Sequence, residues 1–96
     1  MKPSQAIDTH RAAIRKIVEQ NHARNARVFG SIVRGEDTDE SDLDLLVDPT
    51  HETTLFDLAR IKGRLQVMLG IEVDVLTPKG LPEKFRDRVL SEAKPI

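Results

Sequence analysis

No cysteine, tryptophan or tyrosine occurs among the 96 residues. Without thiols the chain forms neither disulfides nor thiolate metal sites. Its aromatics are three phenylalanines, so it has no tyrosine or tryptophan on which to stack the bases of a single strand, and no tyrosine of its own to modify. It lacks a run of about 18 apolar residues, which excludes a membrane-spanning helix. Met1–Gln5 leads into an amphipathic segment and not a signal-like apolar core, so the expected location is cytoplasmic. Basic charge is not in excess: 15 Lys and Arg against 16 Asp and Glu give a net charge of −1. That is a poor electrostatic footprint for direct nucleic-acid binding. The length, with 39% hydrophobic residues, predicts a single domain over residues 1–96 with a modest core.

What the chain does have is concentrated between Val28 and Asp48. A strand ending at Val28-Phe29 runs into the dipeptide Gly30-Ser31, then a short helical turn carrying Arg34, an acidic loop, and a second strand over Asp42–Val47. Side chains alternate faces along a strand, so Asp42 and Asp44 share one face at roughly 7 Å between Cα atoms. Leu43, Leu45 and Val47 take the other and point to a core. Two neighbouring carboxylates raise each other's pKa unless a cation intervenes, and an oxygen-only site suits Mg²⁺ or Mn²⁺. A third acid comes from Ile71–Leu76, where Ile71, Val73 and Val75 are apolar and Asp74 faces the opposite way. If that strand lies beside the second, at about 4.8 Å, Asp42, Asp44 and Asp74 converge. Such a trio around divalent ions suits in-line phosphoryl or nucleotidyl transfer.

Gly30 and Ser31 fit the same chemistry. Glycine allows close backbone approach to a phosphate and tolerates positive φ. Ser31 can open a short helix whose amides face an anion. Arg34 is placed either to reach a phosphate or to brace an aspartate. Gly-Ser and Asp-x-Asp are each weak signals. Their separation, the strand context and the third acid make a strong one together.

On these residues, Gly30, Ser31, Arg34, Gly35, Ser41, Asp42, Asp44, Leu45, Val47 and Val73-Asp74, the chain resembles the minimal nucleotidyltransferase domains of the DNA-polymerase-β-like superfamily, of the MntA antitoxin type. The resemblance extends through Leu76-Thr77-Pro78 and Leu81–Ile96. It implies a mixed sheet and a Mg²⁺-dependent adenylyltransferase that takes ATP as substrate. Asp42, Asp44 and Asp74 would be its metal and catalytic residues, and Gly30, Ser31 and Arg34 its nucleotide contacts. It further implies a partner, a HEPN-type ribonuclease toxin silenced by AMP on a tyrosine hydroxyl. With no acceptor domain expected in so short a chain, a separate protein is expected to supply the acceptor. Two alternatives stand beside this reading: an antitoxin that neutralises by binding alone, and nucleotidyl transfer to a small molecule.

The rest of the chain predicts a small α/β sandwich with three main strands and about four helices, the helices covering one face. Ser4 caps a first helix whose core face is Ile7, Ile14, Ile17 and Val18, ending near Asn21-His22. Ala26–Phe29 is the first strand. Thr53 or Thr54 caps a helix with the stripe Leu55, Leu58, Ala59, Ile61, Leu65, Met68 and Leu69. Gly63 weakens that helix and marks close packing, and Gly70 stops it. After the turn Thr77–Gly80, a last helix turns Phe85, Val89 and Leu90 inward. Ser41 is placed to bond a neighbouring carboxylate, and Lys79, near the end of the third strand, reads as a surface lysine, with help in holding a triphosphate as the alternative. His10 and His22 lack a second ligand at metal-binding spacing, and His51 reads as loop surface.

Overall fold

The computed structural model describes all residues 1–96. Its spine is the strand Leu43–Pro49, where Leu43, Leu45, Leu46 and Val47 have no solvent exposure. Each such aliphatic side chain contributes roughly 1.5–3 kcal/mol on leaving water, so this segment dominates the core. Numbered in chain order, Ala23–Phe29 is β1, Leu43–Pro49 is β2, Val73–Leu76 is β3 and Lys94–Pro95 is β4. The sheet order is β3-β2-β1-β4. β1 runs antiparallel to both β2 and β4, and β2 runs parallel to β3. The sheet is therefore mixed, as expected.

Three α-helices complete the fold: α1 (Pro3–Gln20), α2 (Leu55–Leu69) and α3 (Glu83–Glu92). Helix α2 is the crossover that a parallel pair requires. It starts in a capping box: the Thr54 hydroxyl accepts the Asp57 amide at 3.2 Å, and the Asp57 carboxylate accepts the Thr54 amide at 2.9 Å. It ends at Gly70, in the left-handed region at φ 70°, whose amide donates to Gln66 at 2.9 Å. Leu43, Leu45, Val47 and Val73 pack with Ile14, Ile17 and Val18 of α1 and with Ile61 and Leu65 of α2. Leu46, on the alternate face of β2, packs with Phe29, Leu81 and the α3 residue Val89.

Several expectations need correction. The helices cover both faces, because Leu46 is apolar on the side that carries the acids and α3 closes over it. A fourth strand is present. Lys94–Pro95 was illegible because it spans two residues, one of them a proline, which sheets tolerate at an edge; it extends β1 through pairs with Arg27 and Val28. In place of a fourth helix there are two 3₁₀ turns, Gly30–Ile32 and Pro78–Gly80. Ser4 does not cap α1. Pro3 takes a first-turn position, where its missing N–H costs nothing, and the Ser4 amide instead donates to Asp37 Oδ2 at 3.0 Å. Leu55 is 83% exposed, Ala59 is exposed, and Phe85 and Leu90, expected to face inward, keep 44% and 38% of their surface in solvent. Gly63 packs against nothing: a Cβ there would meet no atom within 4 Å.

Candidate functional site

The site forms where β1 ends and β2 and β3 begin. Phe29, the last residue of β1, pairs across the sheet with Asp44, and Asp44 pairs in parallel register with Asp74. In-register neighbours share a face, so the two carboxylates stand side by side on the face that α3 partly covers. Asp42 lies one residue before β2 and is exposed. The adjacent Leu43 amide is tied to the Glu72 carbonyl at 2.9 Å, which fixes this end of β2 against the start of β3.

The electrostatics identify Asp44 as the focus. Burial pushes its carboxyl above the usual aspartate range, and the charges of Asp74 and Asp42 push it the same way. Arg34 opposes them. Asp74 and Asp42 are thus close enough to act on Asp44 together. No group of three acids or histidines, however, is drawn into a ready ligand shell. Asp44 and Asp74 form the aligned pair and Asp42 stands at its edge. The donor chemistry fits a hard divalent cation: the groups are carboxylates, no sulfur is present, and the repulsion that raises Asp44 is what a cation relieves.

Gly30 explains how the turn and the acids meet. Its φ is 79°, the left-handed region that favours glycine. A Cβ built there would overlap Asp44 Oδ2 and stand 3.3 Å from Asp44 Cγ. The backbone of the Gly-Ser turn therefore rests on the half-buried Asp44 carboxylate with no room for a side chain. Ser31 follows in the 3₁₀ turn, half-buried, and the turn is closed by the Arg34 amide to the Gly30 carbonyl at 3.4 Å and the Glu36 amide to the Ser31 carbonyl at 2.9 Å.

Of the two roles open to Arg34, the structure gives its guanidinium carboxylate partners, though not an aspartate. It lies 3.3 Å from Glu36 and 3.8 Å from Glu92 of α3. Ser41 does not bond a carboxylate; its hydroxyl accepts the Thr38 amide at 2.8 Å and shapes the acidic loop. Lys79 is exposed in the second 3₁₀ turn. That turn is fastened from α3 by Arg86, whose Nε donates to the Pro78 carbonyl at 2.9 Å and whose Nη2 donates to the Leu81 carbonyl at 3.0 Å.

One part of the site had no sequence signal. A cleft of about 280 Å³ opens beside Gly30, between the Gly-Ser turn, the end of β3 and α3. Phe29, Leu76, Leu81 and Val89 give it an apolar floor, while Arg34, Arg88 and Glu92 bring charge to it. Glu92 meets Arg34 from a distant element, which no local pattern announces.

Comparison with known proteins shows the family and the fold. The family description "Nucleotidyltransferase domain" matches residues 11–96. A candidate protein adenylyltransferase of Methanocaldococcus jannaschii, MJ0435, is 40% identical over 80% of this chain and 83% of its own length. The protein adenylyltransferase MntA of Thermococcus cleftensis is 33% identical over 90% of this chain and 84% of its own. Among solved structures, a candidate minimal nucleotidyltransferase superposes with a TM-score of 0.86 at 40% identity, covering 97% of this chain and 95% of the other. A toxin–antitoxin structure with AMP-PNP shares the fold, with a TM-score of 0.71 at 18% identity over 97% of this chain and 71% of that one.

Proposed function

We propose that this chain, which belongs to the nucleotidyltransferase domain family and is a nucleotidyltransferase, acts as a protein adenylyltransferase and antitoxin, moving AMP from ATP to a hydroxyl of a partner toxin. The observation that carries the reading is the register Phe29–Asp44–Asp74 with Gly30 seated on Asp44. It sets the Gly-Ser turn, in this reading the phosphate cradle, directly against Asp44, the in-register neighbour of Asp74. Relatives named as protein adenylyltransferases support the reaction class, and the toxin–antitoxin assemblies of the same fold support the partner class. A HEPN-type toxin and a tyrosine acceptor follow from the family resemblance. These 96 residues hold no tyrosine, so such a side chain comes from another molecule.

In this reading Asp42, Asp44 and Asp74 would hold Mg²⁺ or Mn²⁺, which would supply charge neutralisation at the triphosphate. The Gly30-Ser31 amides and the Ser31 hydroxyl hold phosphate oxygens. Arg34, released from Glu36 and Glu92, adds its planar fork. The acceptor oxygen attacks the α-phosphorus, the bond to the β-phosphate breaks, and pyrophosphate departs. Asp74, at the open edge of the carboxylate pair, takes the hydroxyl proton.

The test is incubation of the chain with its co-purifying partner, ATP and Mg²⁺, read by intact-mass spectrometry. The partner gains the mass of AMP, and both EDTA and the Asp42→Asn/Asp44→Asn variant abolish the gain. A second reading, neutralisation by binding alone, is favoured by one observation: Leu55, Phe56 and Val67 of α2 are 83%, 77% and 87% exposed. Large apolar side chains left in water suit a partner surface. No mass gain, with the double variant neutralising the partner as well as wild type does, establishes that second reading in place of the first.

A further inference from the structure

The cleft beside Gly30 is separate from the carboxylates yet opens onto the same turn, and its chemistry differs. The acids and the Gly-Ser backbone suit phosphates and a cation. The cleft is floored by Leu81 and Val89 and edged by Phe85, an aromatic ring left 44% exposed. Two cations flank that ring, Arg88 with its guanidinium carbon 5.7 Å from the centroid and Lys84 with its ammonium 5.8 Å away. An apolar slot with one solvent-facing aromatic and a guanidinium suits a flat, electron-rich ring. Stacking on an aromatic face, with a cation over the stack, is how proteins hold nucleobases without reading their edges.

We infer that this cleft is the nucleobase subsite, with Phe85 stacking on the base of the nucleoside triphosphate and Arg88 reinforcing the stack. The inference rests on the nucleotidyltransferase reading above and deepens it. Two aromatic groups could enter a cleft next to the phosphates: the base, or an aromatic acceptor side chain. The base is favoured by connectivity. It is joined through ribose to the phosphates at Gly30, and the cleft begins at Gly30. Charge at the cleft is mixed: Arg34 and Arg88 line it together with Glu92, to which both are paired.

The experiment compares two ligands on three proteins. Mg·ATP and Mg·tripolyphosphate are titrated calorimetrically into wild type, Phe85→Ala and Phe85→Leu, with thermal unfolding as the check on folding. Tripolyphosphate has no base and reports the phosphate cradle alone. Phe85→Ala is expected to weaken ATP about five- to 150-fold, the range for one base–aromatic stack, and to leave tripolyphosphate unchanged. Phe85→Leu, which keeps apolar bulk but loses the ring face, falls between the two. Equal weakening of both ligands means that Phe85 acts through the fold and overturns the assignment. Unchanged ATP affinity in both variants overturns it too, and a raised partner KM in the labelling reaction would then give the cleft to the acceptor. Wild type binding neither ligand would instead overturn the nucleotidyltransferase reading beneath it, a result distinct from either of these.

Discussion

Replacing Gly30 with alanine tests the centre of the proposed site with a single methyl group. Two costs are separable. At φ 79° any L side chain pays roughly 1–2 kcal/mol for the left-handed conformation. The new Cβ also overlaps Asp44 Oδ2 and lies 3.3 Å from Asp44 Cγ, and forcing a methyl group into occupied space costs roughly 1–3 kcal/mol more. Gly70 provides the control. Its φ is 70°, nearly the same, but a Cβ there meets no atom within 4 Å. Gly70→Ala therefore pays the backbone cost alone, and about 1–2 kcal/mol lowers the melting temperature of a domain this size by roughly 4–16 °C. It should keep full Mg·ATP affinity. Gly30→Ala should melt lower than Gly70→Ala and bind Mg·ATP at least tenfold more weakly, because Asp44 is displaced and the turn lifted. The assays are thermal unfolding and calorimetry at a temperature where both variants are folded. Equal melting of the two variants would refute the contact with Asp44. Wild-type Mg·ATP affinity in Gly30→Ala would refute the phosphate cradle.

The remaining predictions concern charge and helix α2. Asp44 is raised in the folded protein, so in metal-free buffer stability is highest below its unfolded pKa and falls as pH rises through the folded value; Asp44→Asn should remove that fall and excess Mg²⁺ should reverse it, both read from melting temperature against pH. Asp57 has the opposite sign. The Thr54 amide, then His22 and Arg60, hold it down to about 2, so its contribution is present above the ordinary aspartate pKa near 3.8 and is lost as pH falls toward 2. Asp57→Asn should flatten the acid limb of the same melting curve. Gly63→Ala, mid-helix with open space for the methyl group, should stabilise by about 1 kcal/mol; a loss of stability would show that Gly63 has a packing role that the fold does not display.

The sequence made the two buried faces of β2 legible to different degrees. Leu43, Leu45 and Val47 alternate with acids and so declared a core on one side. Leu46 sits in the same short run and buries the other side completely, but a lone leucine on a polar face does not say which distant helix will cover it. For the same reason α3 was placed on the wrong side, with Phe85 turned inward, although Phe85 edges the cleft. Thr54 and Gly70 were readable because caps are local chemistry. Asp57 was not read as buried, since its burial depends on His22 and Arg60 as well as its own cap. At the site, period-2 spacing placed Asp42 and Asp44 on one face of their strand and Asp74 on the polar face of its own, and the parallel register sets Asp44 beside Asp74. Asp42 lies beyond the strand end, because pairing starts only at Leu43 with Val73. Arg34 has a partner in Glu92, from the far end of the chain, and nothing short of the tertiary fold could supply it.

Gly30 and Asp44 act as one unit, which a double-mutant cycle makes measurable. Asp44 is the residue that crowds the Gly30 position: its Oδ2, Cγ and Cβ are the three nearest atoms to a Cβ built there. Cutting Asp44 back to alanine removes Oδ2 and Cγ, and with them most of the overlap. Gly30→Ala should therefore cost only its backbone strain, roughly 1–2 kcal/mol, in an Asp44→Ala background, and distinctly more in wild type. The difference is a coupling energy within the range of roughly 0.5–3 kcal/mol found for residues in contact. Two sites that merely lie near each other would give additive losses, within about 0.5 kcal/mol. Chemical denaturation of the four proteins of the cycle, all free of metal and nucleotide, measures it without recourse to activity. Additivity would mean that Asp44 swings aside freely when the turn is filled. The carboxylate would then be mobile rather than pinned beneath the Gly-Ser backbone, and the pre-formed pairing of phosphate turn and acid would be lost as an explanation of the site.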